Sequence, residues 1–428
     1  MPLQYYDPML YASTSANPNM MSVTVTLTEP VEGDLLREAV EQCRVRFPYF
    51  YVRPRVEGND LVPAPNPLPV AVRGTWTPTV LCSRETNYHL MAFKYDGNRL
   101  AVEMVHSISD GAGLLPYLKS VLYVYLSHKY QTQFDPTGFR LPGQEIPDTE
   151  IGDPFPGLDV DSVEAPLYQK PPIEDFYQLS ARYPVGRDHW KVFFLKLPED
   201  QVIRYCRDND SSPNVLMSAL LARAIRQTDP DDERTITAGV AIDHKAMLGN
   251  MDNYRLFANI AVVEFPKGRC GDDILKTCTI ARGQLMLQAQ PENSLFFLKT
   301  KKIGFERMRQ LPLQTKVDLL NKALGMKRST VAVSYANSRS FGPLDPYIRE
   351  VYCLGEPAVS DILCEVACVN HSFFLAFAQA FGPGDVLDAF LREMESAGIS
   401  YEVMRTEPCR LSGVRYDDIL DETTPLNI

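Results

Sequence analysis

The chain has no C-x-x-C pair, no cluster of histidines and no long apolar run, and each gap removes a class of protein. Its nine cysteines are an odd number, scattered between Cys43 and Cys409. Without paired spacing they argue against a disulfide framework or a zinc site and fit a reducing, cytoplasmic setting. His89, His128, His189, His244 and His371 show no metal-ligand spacing, so no metal is expected. No stretch reaches the roughly 18 apolar residues that span a bilayer. The start, Met1-Pro2-Leu3-Gln4-Tyr5-Tyr6-Asp7, lacks the basic and apolar parts of a signal peptide. Positive charge is also short: the net charge is −11, which argues against nucleic acid as a partner. There is no internal repeat, no low-complexity tract and no phosphate-loop pattern, and Gly382-Pro383-Gly384 reads as a turn.

What is present is ordinary globular material. The 428 residues are 45% hydrophobic and 23% charged, enough for two domains or one large one. Charge is uneven. Residues 299–328 hold nine basic side chains (Lys299, Lys301, Lys302, Arg307, Arg309, Lys316, Lys322, Lys327, Arg328) against Glu306 and Asp318, a local +7 on a remainder of −18. Such a patch suits a phosphorylated cofactor or substrate; a solvated helical face is the plainer reading.

Alternation and helical spacing place the elements. Residues 22–28 alternate as a strand, and Asp34 caps a helix carrying Leu35, Leu36, Ala39, Val40 and Cys43. Residues 54–78 are proline-rich and read as a meander. Residues 88–93 and 99–105 read as strands joined by the turn Tyr95-Asp96-Gly97-Asn98. Residues 129–190 hold nine of the 33 prolines and little periodicity, which predicts a crossover between domains. Ser212-Pro213 starts a strong helix. Beyond it, strands are expected at residues 191–197, 235–242, 260–265, 330–335, 349–354, 362–377 and 400–404, with helices over most of 271–326 and from Gly384-Asp385 onward. Cys364 and Cys368 lie in a strand-like run and read as core. The expectation is an α/β protein with mixed sheets. Residues 1–170 form a first half that ends in the crossover, and residues 185–428 form a second half with a candidate donor-binding surface.

The most informative stretch is His106-Ser107-Ile108-Ser109-Asp110-Gly111, an H-x-x-x-D-G. It follows a strand and leads into an apolar helical run, so a histidine sits at a strand end with an aspartate and glycine shaping the turn after it. A lone histidine in that position is more often structural. The order of its surroundings changes this: a strand, a helix ending in Arg46-Phe47-Pro48-Tyr49-Phe50-Tyr51-Val52-Arg53, a hairpin feeding the motif, a long crossover, and the helix start Ser212-Pro213-Asn214-Val215-Leu216-Met217-Ser218-Ala219-Leu220.

On these residues the chain resembles the chloramphenicol-acetyltransferase-like superfamily over nearly its whole length. That group includes alcohol acyltransferases, plant-type acyltransferases and the condensation domains of nonribosomal peptide synthetases. The nearest branch in character is the stand-alone alcohol acetyltransferases. Val105 stands where many condensation domains carry a second histidine, and the plant-type D-F-G-W-G signature is absent; Ser334-Tyr335-Ala336-Asn337 and Phe341-Gly342-Pro343 fall in that region. The resemblance implies two such domains around a central tunnel, with donor and acceptor entering from opposite faces. It also implies His106 as general base, and an Asp110 that points away from the histidine to hold the loop. The family's second-half arginine partner of that aspartate is replaced by Lys245, in Val240-Ala241-Ile242-Asp243-His244-Lys245. Gly111 is expected to permit close packing or a special backbone conformation.

Direct acyl transfer from a thioester asks for a base near working pH, which histidine supplies, and for donors to the developing oxyanion. Ser334 and Asn337 are the candidates. The first reading is therefore an acyltransferase moving an acyl group from acyl-CoA to a small alcohol or amine, with Lys299, Lys301, Lys302, Arg307 and Arg309 meeting the coenzyme's phosphates. The second substitutes an acyl carrier protein for CoA. The third is a non-catalytic binding module of the same fold.

Overall fold

The computed structural model describes residues 9–13, 18–152, 159–171, 173–268, 273–336, 340–411 and 413–414. Two mixed sheets organise the protein. The first has the order Ile348–Gly355, Met20–Leu27, Arg99–Val105, Met91–Asp96, Val72–Arg73. The second has seven strands in the order Ala258–Phe265, Ile236–Asp243, Val331–Ala336, Ile362–Val369, Ser372–Gln379, Lys191–Pro198, Glu402–Pro408. The hairpin that delivers the motif turns at Gly97, whose φ of +56° is the left-handed region a glycine enters without strain.

Alternation assigns each sheet two duties. In Ile362–Val369, Ile362, Cys364, Val366 and Cys368 join one core, under the helices Pro213–Thr228 and Asp385–Ser396. Leu363, Ala367 and Val369 face the other core with the first half. The same split separates Phe373, Leu375 and Phe377 from Phe374, Ala376 and Ala378 in the neighbouring strand. A one-residue slip would invert both sets, so burial on both faces fixes the register. The described cysteines are all free, and Cys364 and Cys368 are core residues, as their apolar run suggests.

The halves interlock. Ile348–Gly355 comes from the second half of the chain but pairs along Met20–Leu27 in the first sheet. Among its described residues, the crossover, residues 131–190, holds only short helical turns and isolated bridges. It is pinned by Glu150, which receives both Arg46 Nη atoms at 2.6 and 2.8 Å, an Arg140 contact at 3.0 Å and the Tyr49 hydroxyl. Burial would raise this carboxyl, but these three partners hold it below its ordinary value. Thus Arg46-Phe47-Pro48-Tyr49 anchors the connection between the halves.

Elsewhere the structure departs from the sequence reading. The proline-rich meander contains a hairpin, Val52–Glu57 with Asp60–Pro65, in which Pro54 faces Pro63. A two-stranded ribbon tolerates these prolines because each strand has only one neighbour to bond. Residues 271–326 resolve into Ile274–Gln288, Pro291–Arg309 and Leu313–Leu324, interrupted near Pro291 and Pro312. The open edge at Ala258–Phe265 is covered by two glutamines one helical turn apart. Gln288 bonds both backbone groups of Val262 at 2.9 Å, and Gln284 bonds both of Glu264 at 2.9 and 3.2 Å. Among the described residues, no helix is long and apolar enough to cross a membrane.

Just past the interlocking strand, Glu356 is partly buried, and desolvation pushes its carboxyl up from 4.5 to about 7, with Arg187 opposing the shift. Between those two values the folded protein holds a proton that the unfolded chain has lost, so stability falls as pH rises through the window. Glu356→Gln is expected to unfold at higher temperature than the parent at pH 8, with the gap closing by pH 4.5. An advantage of about 1–3 kcal/mol at pH 8 is the scale to look for in paired melts.

Candidate active site

His106 follows directly on Arg99–Val105, with its backbone N–H bonded to Asn19 O at 2.9 Å. Its ring Nδ1 lies 3.0 Å from Ser109 O. A carbonyl only accepts, so Nδ1 carries the hydrogen and Nε2 keeps its lone pair. The ring is half-buried and therefore reachable by substrate. The loop thus sets the tautomer a general base needs.

Asp110 holds that loop without touching the base's free nitrogen. It caps the helix Gly111–Tyr130, accepting from Gly113 N at 3.0 Å. It also accepts from Phe257 N at 3.3 Å and from Lys245 Nζ at 2.8 Å. Lys245 is fully buried. Its other two protons go to the carbonyls of Asn253 at 3.1 Å and Arg255 at 2.8 Å, so all three ammonium donors are satisfied. Ser109 adds a further tie, from Oγ to Tyr254 O at 2.7 Å. Beside the pair, burial raises the Asp243 carboxyl despite the nearby Lys245 ammonium, and Asp110 adds to the effect.

The close packing expected at Gly111 occurs two residues later. A Cβ at Gly111 would meet no atom within 4 Å, and its φ is not in the left-handed region. A Cβ at Gly113 would fall 2.3 Å from both Ser109 Oγ and Tyr254 O. The motif's glycine leaves open space at the helix start; Gly113 lets the second half approach.

Across the junction, Ser334 lies on Val331–Ala336 in register with Glu365 on Ile362–Val369. The Ser334 hydroxyl donates to the Glu365 carboxyl, whose pKa is raised by burial; the serine and His106 act in the opposite sense. Glu365 escaped the sequence reading. Its signal was one acid in an otherwise apolar strand, Ile362-Leu363-Cys364-Glu365-Val366. Asn337 lies outside the described residues.

The basic segment does not form one face. Lys299 Nζ bonds the carbonyls of Asp161 and Val163 at 2.9 and 2.8 Å, and Lys302 pairs with Asp161 at 2.6 Å. Lys316 is buried against Asp60 and Asn59 O. Lys327 pairs with Asp361 at 3.2 Å. Lys301 sits among the rings of Phe257, Phe297 and Phe305. Arg307 and Arg309, at the end of Pro291–Arg309, are exposed. Four lysines therefore tie segments of this chain together. His89 and His244 are buried and pushed down to about 4 by desolvation. No group of side chains among the described residues could hold a metal ion.

No protein-family model matches the chain, and no curated protein matches it by sequence. Solved structures match in fold. Polyketide synthase associated protein 5 from Mycobacterium tuberculosis superposes with a TM-score of 0.57 at 14% identity, over 90% of this chain and 94% of that one. TRI101 of F. graminearum, complexed with Coenzyme A and T-2 mycotoxin, gives 0.57 at 13%, over 92% and 98%. The condensation domain from the Monacolin K polyketide synthase MokA gives 0.53 at 11%, over 92% and 95%. The protein thus shares the two-lobed α/β fold of these structures, along nearly its full length.

Two stability tests follow from this geometry. Lys245→Met leaves Asp110 charged and buried without its cation, and a loss of about 3–5 kcal/mol in urea unfolding is expected; adding Asp110→Asn should recover part of it. Gly113→Ala should cost about 1–3 kcal/mol through backbone displacement. Gly111→Ala should stay within about 0.5 kcal/mol of the parent in the same titration.

Proposed function

We propose that the protein is an acyltransferase that moves an acyl group from a thioester, in the first instance acyl-CoA, to a small alcohol or amine. The observation that carries this is His106. It ends a strand at the junction of the two lobes, with Nδ1–H engaged by Ser109 O and Nε2 free.

Neutral Nε2 takes the proton from the acceptor's O–H or N–H as that atom attacks the thioester carbonyl carbon. The new C–O or C–N bond forms, and the carbonyl electrons move onto oxygen. As they return, the C–S bond breaks and the thiolate recovers the proton from Nε2. No acyl-enzyme forms. Ser334 is the described candidate donor to the oxyanion, and Asp110, Lys245 and Gly113 keep the loop in place. Likeness in fold to TRI101, solved with Coenzyme A, supports a CoA donor. A carrier-bound thioester presents the same reacting bond. Arg307 and Arg309, exposed at the end of Pro291–Arg309, remain the candidates to meet a phosphate in either case. Eight free cysteines among the described residues suit a reducing compartment such as the cytoplasm.

Purified protein, acetyl-CoA and a panel of alcohols and amines should release free thiol. His106→Ala, with an unchanged melting profile, should slow release by about 10²–10⁴-fold. Equal release by the variant would remove the proposed base. CoA binding without turnover across the panel would favour a binding module.

A further inference from the structure

The second sheet's inner face, the one turned toward the first lobe, is built of small side chains in its middle strands. Alternation puts Ala332, Ser334 and Ala336 there, with Ala376 and Ala378 two strands away. Among these lies one acid. Glu365 stands between Ser334 and Ala376 in register. A Cβ built on Gly355, at the end of the interlocking strand, would lie 3.7 Å from Glu365 Oε1. Met21 of the first sheet pairs with both Gly355 and Met104, and His106 lies two residues past Met104 at that same end. Glu365 is half-buried on the sheet face turned toward the first lobe. Among the described residues no lysine or arginine is salt-bridged to it, whereas Glu150 has Arg46, Glu103 has Lys94 and Asp110 has Lys245.

An acid placed deep in a protein without a cation is costly when ionised. Here the carboxyl lies beside Gly355, at the end of the first sheet that also delivers the base. From this juxtaposition we propose that Glu365 is the acceptor-selecting residue, and that the acceptor is an amine that enters as its ammonium form and docks on the Glu365 carboxylate. This rests on the acyl-transfer reading and narrows it from alcohol or amine to N-acylation.

The proton count closes. The ammonium gives one proton to the Glu365 carboxylate, leaving a neutral amine and a neutral acid. The amine attacks the thioester carbonyl carbon, and His106 Nε2 takes the second proton. The C–N bond forms, the C–S bond breaks, and the thiolate takes the proton from His106. Glu365 returns its proton to solvent as the amide leaves.

The test uses matched pairs: 2-phenylethylamine with 2-phenylethanol, and hexylamine with hexanol. Calorimetric binding is measured at pH 7 on the parent, Glu365→Gln and His106→Ala, alongside thiol release from acetyl-CoA. The expected result is an amine-to-alcohol affinity ratio of at least about tenfold, ~1.4 kcal/mol, in the parent and in His106→Ala. The ratio should collapse toward one in Glu365→Gln, whose amide keeps a polar group for Ser334 but carries no charge. An equal loss for amine and alcohol would overturn the proposal, as would a parent that binds no amine better than its alcohol. Turnover that survives in His106→Ala would instead count against the base. Because binding is read without turnover, the two failures are distinguishable.

Discussion

The contact between Lys245 and Asp110 is the constraint on which the site depends, because it ties the loop that carries His106 to the second half through a buried ion pair. Asp110 belongs to the loop that presents His106, and Lys245 follows the second-sheet strand Ile236–Asp243. The pair is buried on both sides, with side-chain exposures of 0% and 7%. Such a pair persists only where the remaining donors and acceptors are met. Here the ammonium meets one carboxylate and two carbonyls, while the carboxylate also receives two backbone N–H groups. That account explains lysine where the resembling family has arginine. The site offers three acceptors to the cation. A guanidinium brings five N–H donors, so at this fully buried position it would leave donors unmet by these three acceptors.

Position in the fold converts this local pair into a global one. Residues 348–355 leave the second half to pair with the first sheet, and Glu150 in the crossover is gripped by Arg46 and Tyr49. The Tyr49 ring stacks on Tyr254 with centroids 4.0 Å apart. Tyr254 O in turn accepts from Ser109 in the motif loop. A chain of contacts therefore runs from the crossover through the Tyr254 segment to the turn that fixes His106. The halves cannot separate without releasing the histidine's own support.

Much of this was legible in the sequence. The strand that delivers His106, the Asp96-Gly97 turn and the apolar helix after Gly111 follow from short-range patterns, and the apolar run of residues 362–377 reads as strand, as it is. What stayed hidden depends on contacts between distant segments. Gly113 looks like any helix glycine until Tyr254 O arrives beside it. The basic run of residues 299–328 reads as one patch, but Lys299, Lys302, Lys316 and Lys327 turn to partners at residues 161, 163, 59, 60 and 361. Charge counted along a chain says how much there is, not where it points. Glu365 was visible as an acid in an apolar strand; its neighbours Ser334 and His106 were not.

Those neighbours give the acid a second consequence. The Ser334 hydroxyl has one hydrogen, and while Glu365 is ionised that hydrogen is committed to the carboxylate. Ser334 cannot then also donate to a thioester oxygen. Once Glu365 has accepted a proton from an incoming ammonium, it becomes a donor, and the serine oxygen can accept from it. The serine hydrogen is then free to turn toward the oxygen on which charge develops. Under the proposed N-acylation, docking of the acceptor, release of its proton and arming of an oxyanion donor would become one event.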